Sequence, residues 1–139
     1  MSPFARLLRD LRLSRKLRQS ELAGLIGYDQ TYISALEVDL KGPPTPEFVD
    51  RLIGTLHLSA VETSELRRLA RASRRKYVID GEAPEHVFLL LDLLFEKLPE
   101  VTPAQSRVIK EVLNMPAPAE ELEEQPRRRR RARQTEVHM

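Results

Sequence analysis

Apolar positions along this chain recur at intervals of three and four residues, and a helix-start signal stands before nearly every run. Ser2-Pro3 opens a segment that sets Phe4, Leu7, Leu8 and Leu11 on one helical face, and Thr45-Pro46 opens one that carries Phe48, Val49, Leu52, Ile53 and Leu56. Ser59, with Glu62 three positions on, forms a capping box ahead of Leu66, Leu69 and Ala70. Ala83-Pro84 leads into the most apolar stretch, Val87 to Leu98, and Thr102-Pro103 with Gln105 leads into Val108, Ile109, Val112 and Leu113. No stretch alternates apolar and polar residues as a half-buried strand would, so the spacing predicts an all-α chain.

Between the first two of these runs lies QSELAGLIGYDQTYISALEV, residues 19–38, where two short helices are expected to meet at a sharp corner. Leu22, Ala23 and Ile26 share one face of the first. Gly27 supplies the positive φ of a tight helix exit, and Asp29 caps a second helix whose Ile33 and Leu36 point inward. Ala23 is small at the point where two steeply crossing helices touch. That arrangement leaves Gln30, Thr31, Ser34 and Ala35 facing outward.

With the QSELA opening, the YIS-x-x-E pattern and the flanking helices, the stretch from about Phe4 to Leu58 resembles the Cro/repressor-type helix-turn-helix family, the lambda-repressor-like fold. The resemblance implies a five-helix DNA-binding domain whose second short helix enters the major groove. Gln30, Thr31, Ser34 and Ala35 are then the base-contacting residues; glutamine can pair with adenine through two hydrogen bonds, and a threonine methyl can meet a thymine methyl. By the same resemblance Gln19 clamps a phosphate, with Arg18, Tyr28, Tyr32 and Lys41 as phosphate neighbours. Packing is the competing role for Tyr32, and solvation for Arg18 and Lys41. Arg12 and Glu37 are expected to form an architectural ion pair between the first helix and the end of the recognition helix. In one place the chain departs from the family: Asp39 stands where a glycine is usual, and the loop LKGPPTP that follows is longer.

Charge sharpens the division of the chain. Residues 1–76 carry 14 basic and 9 acidic side chains, residues 77–113 carry 3 and 7, and residues 114–139 carry 6 and 5. The basic surplus thus sits with the helix-turn-helix, as approach to polyphosphate requires. Three regions are expected: a DNA-binding domain over 1–76, a helical extension over 77–113, and a charged tail over 114–139. The tail holds an acidic cluster and the run Arg127 to Arg131 but almost nothing to bury, and is expected to be disordered. In the extension, Val87, Phe88, Leu91, Leu94, Phe95 and Leu98 form a stripe that either packs within the chain or serves as a dimer interface.

The remaining composition narrows the chemistry. With no Cys and three scattered His, neither a disulfide framework nor a metal-ligand cluster is expected. No cofactor and no enzymatic activity are expected either, because glycine-rich phosphate loops and nucleophile motifs are missing. No apolar run reaches the ~20 residues of a membrane span, and MSPFARLLRD turns amphipathic at once, so a soluble cytoplasmic protein is expected. The leading reading is a dimeric transcription regulator, a repressor on an inverted-repeat operator in double-stranded DNA. The alternative is an antitoxin-like module that binds a protein partner through its C-terminal helices and regulates itself through DNA.

Overall fold

A computed structural model describes residues 1–118, and the arginine-rich segment beyond them lies outside the described residues. The chain divides into two compact units, one from Met1 to Val78 and a second from Ile79 on. The first holds five helices: α1 (Pro3–Ser14), α2 (Gln19–Ile26), α3 (Gln30–Glu37), α4 (Pro46–Leu56) and α5 (Ala60–Ala72). The second holds α6 (Glu85–Lys97), a 3₁₀ turn (Leu98–Glu100) and α7 (Pro103–Asn114). Among the described residues there is no strand, and no helix is long and apolar enough to cross a membrane.

Each boundary has a local cause. Ser2 Oγ accepts from Ala5 N–H at the start of α1, and Thr45 Oγ1 from Phe48 N–H at the start of α4, both at 3.2 Å. Ser59 and Glu62 complete a reciprocal capping box on α5, as Thr102 and Gln105 do on α7. Glu21 accepts from the Arg18 N–H at 3.2 Å ahead of α2. At the other ends, Gly27 closes α2 and His57 closes α4 in left-handed conformation.

These helices enclose one apolar core in the first unit. Leu8 of α1, Leu22 of α2, Ile33 of α3, Phe48 and Leu52 of α4 and Leu66 of α5 are fully buried. Phe4 meets Phe48 edge to face with ring centroids 6.3 Å apart, which joins α1 to α4. One polar group completes the core. The Phe4 N–H, an orphan donor in the first turn of α1, donates to Ser73 Oγ at 2.9 Å, and that hydroxyl donates to the Leu69 carbonyl at 2.7 Å. A residue at the end of α5 therefore caps the start of α1 through space.

The second unit is built differently. No residue of α6 or α7 is buried, although α6 is apolar on most of its circumference. Phe88, Phe95 and Leu98 of the stripe are 40%, 57% and 48% exposed, and Val87, Leu91 and Leu94 are half-buried.

Ser73→Ala is expected to cost about 1–3 kcal/mol, because it strands the buried Phe4 amide without an acceptor. Urea denaturation reads this as a lowered midpoint with unchanged slope; an unshifted midpoint would mean that water takes the hydroxyl's place.

Candidate nucleic-acid interface

The corner between α2 and α3 is made by three residues. Gly27 leaves α2 at φ 73°, a conformation that costs a residue with a Cβ. Tyr28 donates its N–H back to the Ala23 carbonyl at 3.0 Å, and Asp29 then starts the next helix: its Oδ1 accepts from the Thr31 N–H at 2.8 Å and from the Thr31 hydroxyl at 2.7 Å. These two hydrogen bonds, the side-chain one foremost, hold the Asp29 carboxyl below its ordinary pKa. Ala23 of α2 and Ile33 and Leu36 of α3 are buried behind the corner. Gln30 and Thr31 stand exposed at the first turn of α3, while Ser34 and Ala35, one turn on, are half-buried.

The far end of α3 is fixed by charge. Glu37 is 4% exposed and receives Arg12 Nε at 2.7 Å and Arg12 Nη2 at 3.2 Å, a two-point pairing between α1 and α3. Arg12 Nη1 also donates to the Leu17 carbonyl at 2.9 Å, which ties down the α1–α2 connection. Gln19, the first residue of α2, donates its side-chain amide to Glu37 Oε2. One carboxylate thus gathers three segments. Sequence reasoning singled out the Arg12 and Glu37 pair and assigned Gln19 separately; the bond that joins them has no sequence signal, since 18 residues separate Gln19 from Glu37. Arg9, Arg12, Gln19, Glu37 and Asp39 line a cleft of about 450 Å³, so an exposed Arg9 that sequence reasoning passed over shares this cleft with Gln19.

Asp39, the departure from the family pattern, keeps the backbone form that glycine would have. Its φ is 61°, and Asp tolerates the left-handed region better than most residues. Its Oδ2 accepts the Ser2 N–H at 2.7 Å, and its carbonyl accepts from Arg75. The Ser2 hydrogen bonds, more than the nearby charges, depress its carboxyl pKa. The start of α1 and the chain beyond α5 are thereby fastened to the loop after α3.

The tyrosines occupy a middle position. Tyr28 and Tyr32 are half-buried and stack with centroids 5.3 Å apart, and both meet the Phe48 ring edge to face. Lys41 Nζ lies 5.6 Å from the Tyr32 centroid and the Arg51 guanidinium 5.3 Å from that of Tyr28. Arg51, absent from the sequence-based set, also pairs with Glu47 at 3.0 Å. Arg18 is exposed and lies 3.8 Å from Glu21. Among the described residues, no three His, Cys, Asp or Glu side chains come together as a metal site.

Glu37→Ala is expected to destabilise the first unit by about 3–5 kcal/mol, because it leaves Arg12 charged and largely desolvated. The double variant Arg12→Met, Glu37→Ala recovers most of that loss if burial of a lone charge is the cause; urea unfolding of wild type, Arg12→Met, Glu37→Ala and the double variant closes the cycle. A second expectation follows from Asp29. Its pKa is lowered on folding, so the cap's contribution is complete above the unfolded-state value and is lost as pH falls through the folded one. A carboxyl NMR titration with a midpoint at or above 3.8 would contradict the cap geometry.

With the geometry in place, comparison with known proteins gives a consistent picture. The helix-turn-helix domain family matches residues 3–66. An uncharacterized HTH-type transcriptional regulator, RghRB, of Bacillus subtilis (strain 168) is 39% identical over 56 residues, which cover 40% of this chain and 40% of that protein. The chain therefore spans about two fifths of the relative's length in this match. No solved structure matches. The capped start of α3, the left-handed corner before it and the matched profile together support a helix-turn-helix domain over residues 3–66, similar to that of HTH-type transcriptional regulators.

Proposed function

We propose that this protein is a sequence-specific DNA-binding transcription regulator, acting in the cytoplasm as a dimeric repressor on an inverted-repeat operator. The observation that carries the reading is α3 itself: capped by Asp29 at one end, pinned through Glu37 at the other, and exposed at Gln30 and Thr31. A helix held at both ends presents its first turn to base edges without a further ordering cost.

In this reading Gln30 reads adenine through two hydrogen bonds, and Thr31 offers its methyl to thymine, its hydroxyl hydrogen being donated to Asp29. Ser34 and Ala35 face the groove one turn deeper. Gln19, Arg18, Tyr28, Tyr32 and Lys41 meet the flanking phosphates and set the register. Gln19 has one amide hydrogen engaged with Glu37 and keeps its second for a phosphate oxygen. Residues 1–76 read DNA and residues 77–113 pair two copies through Val87, Phe88, Leu91, Leu94, Phe95 and Leu98. Dimerisation doubles the contact set that a single short helix supplies. Repression is the simpler act, since occupancy alone blocks polymerase, whereas activation needs a positioned contact; no chemistry on the DNA is required.

The exposed apolar surface of α6 and α7 also supports a second reading, in which it binds a different protein in the manner of an antitoxin. Selection of bound sequences from a random DNA pool tests the first. An inverted repeat is the expected product, a single half-site would remove the dimer, and no enrichment would remove the DNA reading altogether. On the selected site, Gln30→Ala is expected to lose about 1–3 kcal/mol, with far less lost on random DNA. Equal loss on both would reduce Gln30 to a backbone contact.

A further inference from the structure

The stripe on α6 accounts for only part of the uncovered surface. Leu90, Leu93 and Leu94 of α6 face Val108 and Ile109 of α7 across an open apolar groove of about 760 Å³. Phe88 and Phe95 do not line it; at 100° per residue they project from the other side of α6. The helix therefore carries a groove on one flank and two aromatic knobs, 40% and 57% exposed, on the other.

A helix that is apolar nearly all round belongs in an interior. Contact along the stripe alone would leave Leu90, Leu93 and Ile109, which are 41–53% exposed in the free chain, facing water. We infer that the groove between α6 and α7 is filled by Phe88 and Phe95 of a second copy of this chain, so that two α6–α7 pairs close into a four-helix bundle. The inference rests on the dimer proposed above and specifies its geometry.

Two features of the chain select a second copy as the occupant. The first is area: Phe88, Leu90, Leu93, Phe95 and Leu98 leave on the order of 500 Å² of apolar surface uncovered per copy, a large part of the ~800 Å² that each partner buries in a standard stable interface. α7 adds Val108, Val112 and Leu113, which are 59–70% exposed. The second is reciprocity. A two-fold interface requires the same patch to supply both knob and hole, and α6 carries both.

Reciprocity also fixes direction. In an antiparallel pair a two-fold axis perpendicular to the helices leaves each flank facing its own kind, groove against groove and phenylalanine against phenylalanine. A two-fold axis running along the helices exchanges the flanks. Only the parallel arrangement therefore seats Phe88 and Phe95 in the opposite groove, with Leu91 and Leu98 each meeting its own mate near the axis.

Sedimentation equilibrium and a cross-linking assay on the full chain test this. Wild type is expected to be a dimer at micromolar concentration. Ile109→Asp, on the α7 wall of the groove and outside the stripe, is expected to weaken dimerisation at least ~30-fold, because it places a carboxylate where the partner's phenylalanine sits. Ile109 is 41% exposed, so the substitution does not open a buried core, and circular dichroism checks that helicity at high concentration is retained. Since the chain has no cysteine, Leu98→Cys supplies a single thiol; in the parallel bundle it oxidises to a disulfide-linked dimer. In an antiparallel pair centred on Leu91 the two thiols lie about 21 Å apart and cannot join. A dimer that tolerates Ile109→Asp, or one in which Leu98→Cys does not cross-link, overturns the bundle and leaves the dimer standing. A monomeric wild type overturns both, and the DNA selection then judges the DNA reading by itself.

Discussion

A single buried carboxylate decides where α3 lies. Glu37 accepts from Arg12 on α1 and from Gln19 on α2 while belonging to α3, and Arg12 carries the connection onward to the Leu17 carbonyl. Apolar packing alone would allow α3 to slide or roll by a fraction of a turn, since Leu and Ile side chains fit a core in more than one way. Charged groups in a dry environment do not have that freedom: each displacement leaves a donor or acceptor unpaired, at a cost of ~1–3 kcal/mol or more. The pair adds little net stability over a hydrophobic substitute, but it converts a family of similar packings into one orientation. Everything outward of it, from Gln19 at the head of α2 to Gln30 at the head of α3, inherits that orientation.

Much of the first unit was legible because its signals are local. Ser2, Asp29, Thr45 and Ser59 each bond to an amide two or three residues away, so a capping residue in the sequence becomes a helix start in the structure with no help from tertiary contacts. Gly27 was legible for the same reason. What escaped were bonds made through space. Nothing near Ser73 in the sequence marks it as the cap of α1, and nothing near Asp39 tells that its carboxylate would hold Ser2 while its backbone keeps the turn of a glycine. Arg51 reads as half of an i,i+4 pair with Glu47, and only the fold brings it over the Tyr28 ring. In the second unit periodicity showed an apolar surplus on α6, but it could not show the groove, which needs α7 placed beside it.

The two units divide the physical work unevenly. The buried apolar residues run from Phe4 to Leu69, whereas α6 and α7 bury none. Helices of 13 and 12 residues with no buried face are marginal in water, so the order of α6 and α7 depends on what covers them. The first unit is complete within one chain, whereas the second leaves its apolar surface open.

That division has a temporal side. A domain of short, locally capped helices has low contact order and folds within milliseconds or less. Synthesis proceeds from the N-terminus at about 5–20 residues per second, so the stretch from 79 to 118 needs some ~2–8 s more to emerge. On the ribosome, the first unit is therefore complete while α6 and α7 are still emerging. The nascent chain passes through a stage in which its buried core is complete while the exposed apolar surface of α6 and α7 has yet to appear.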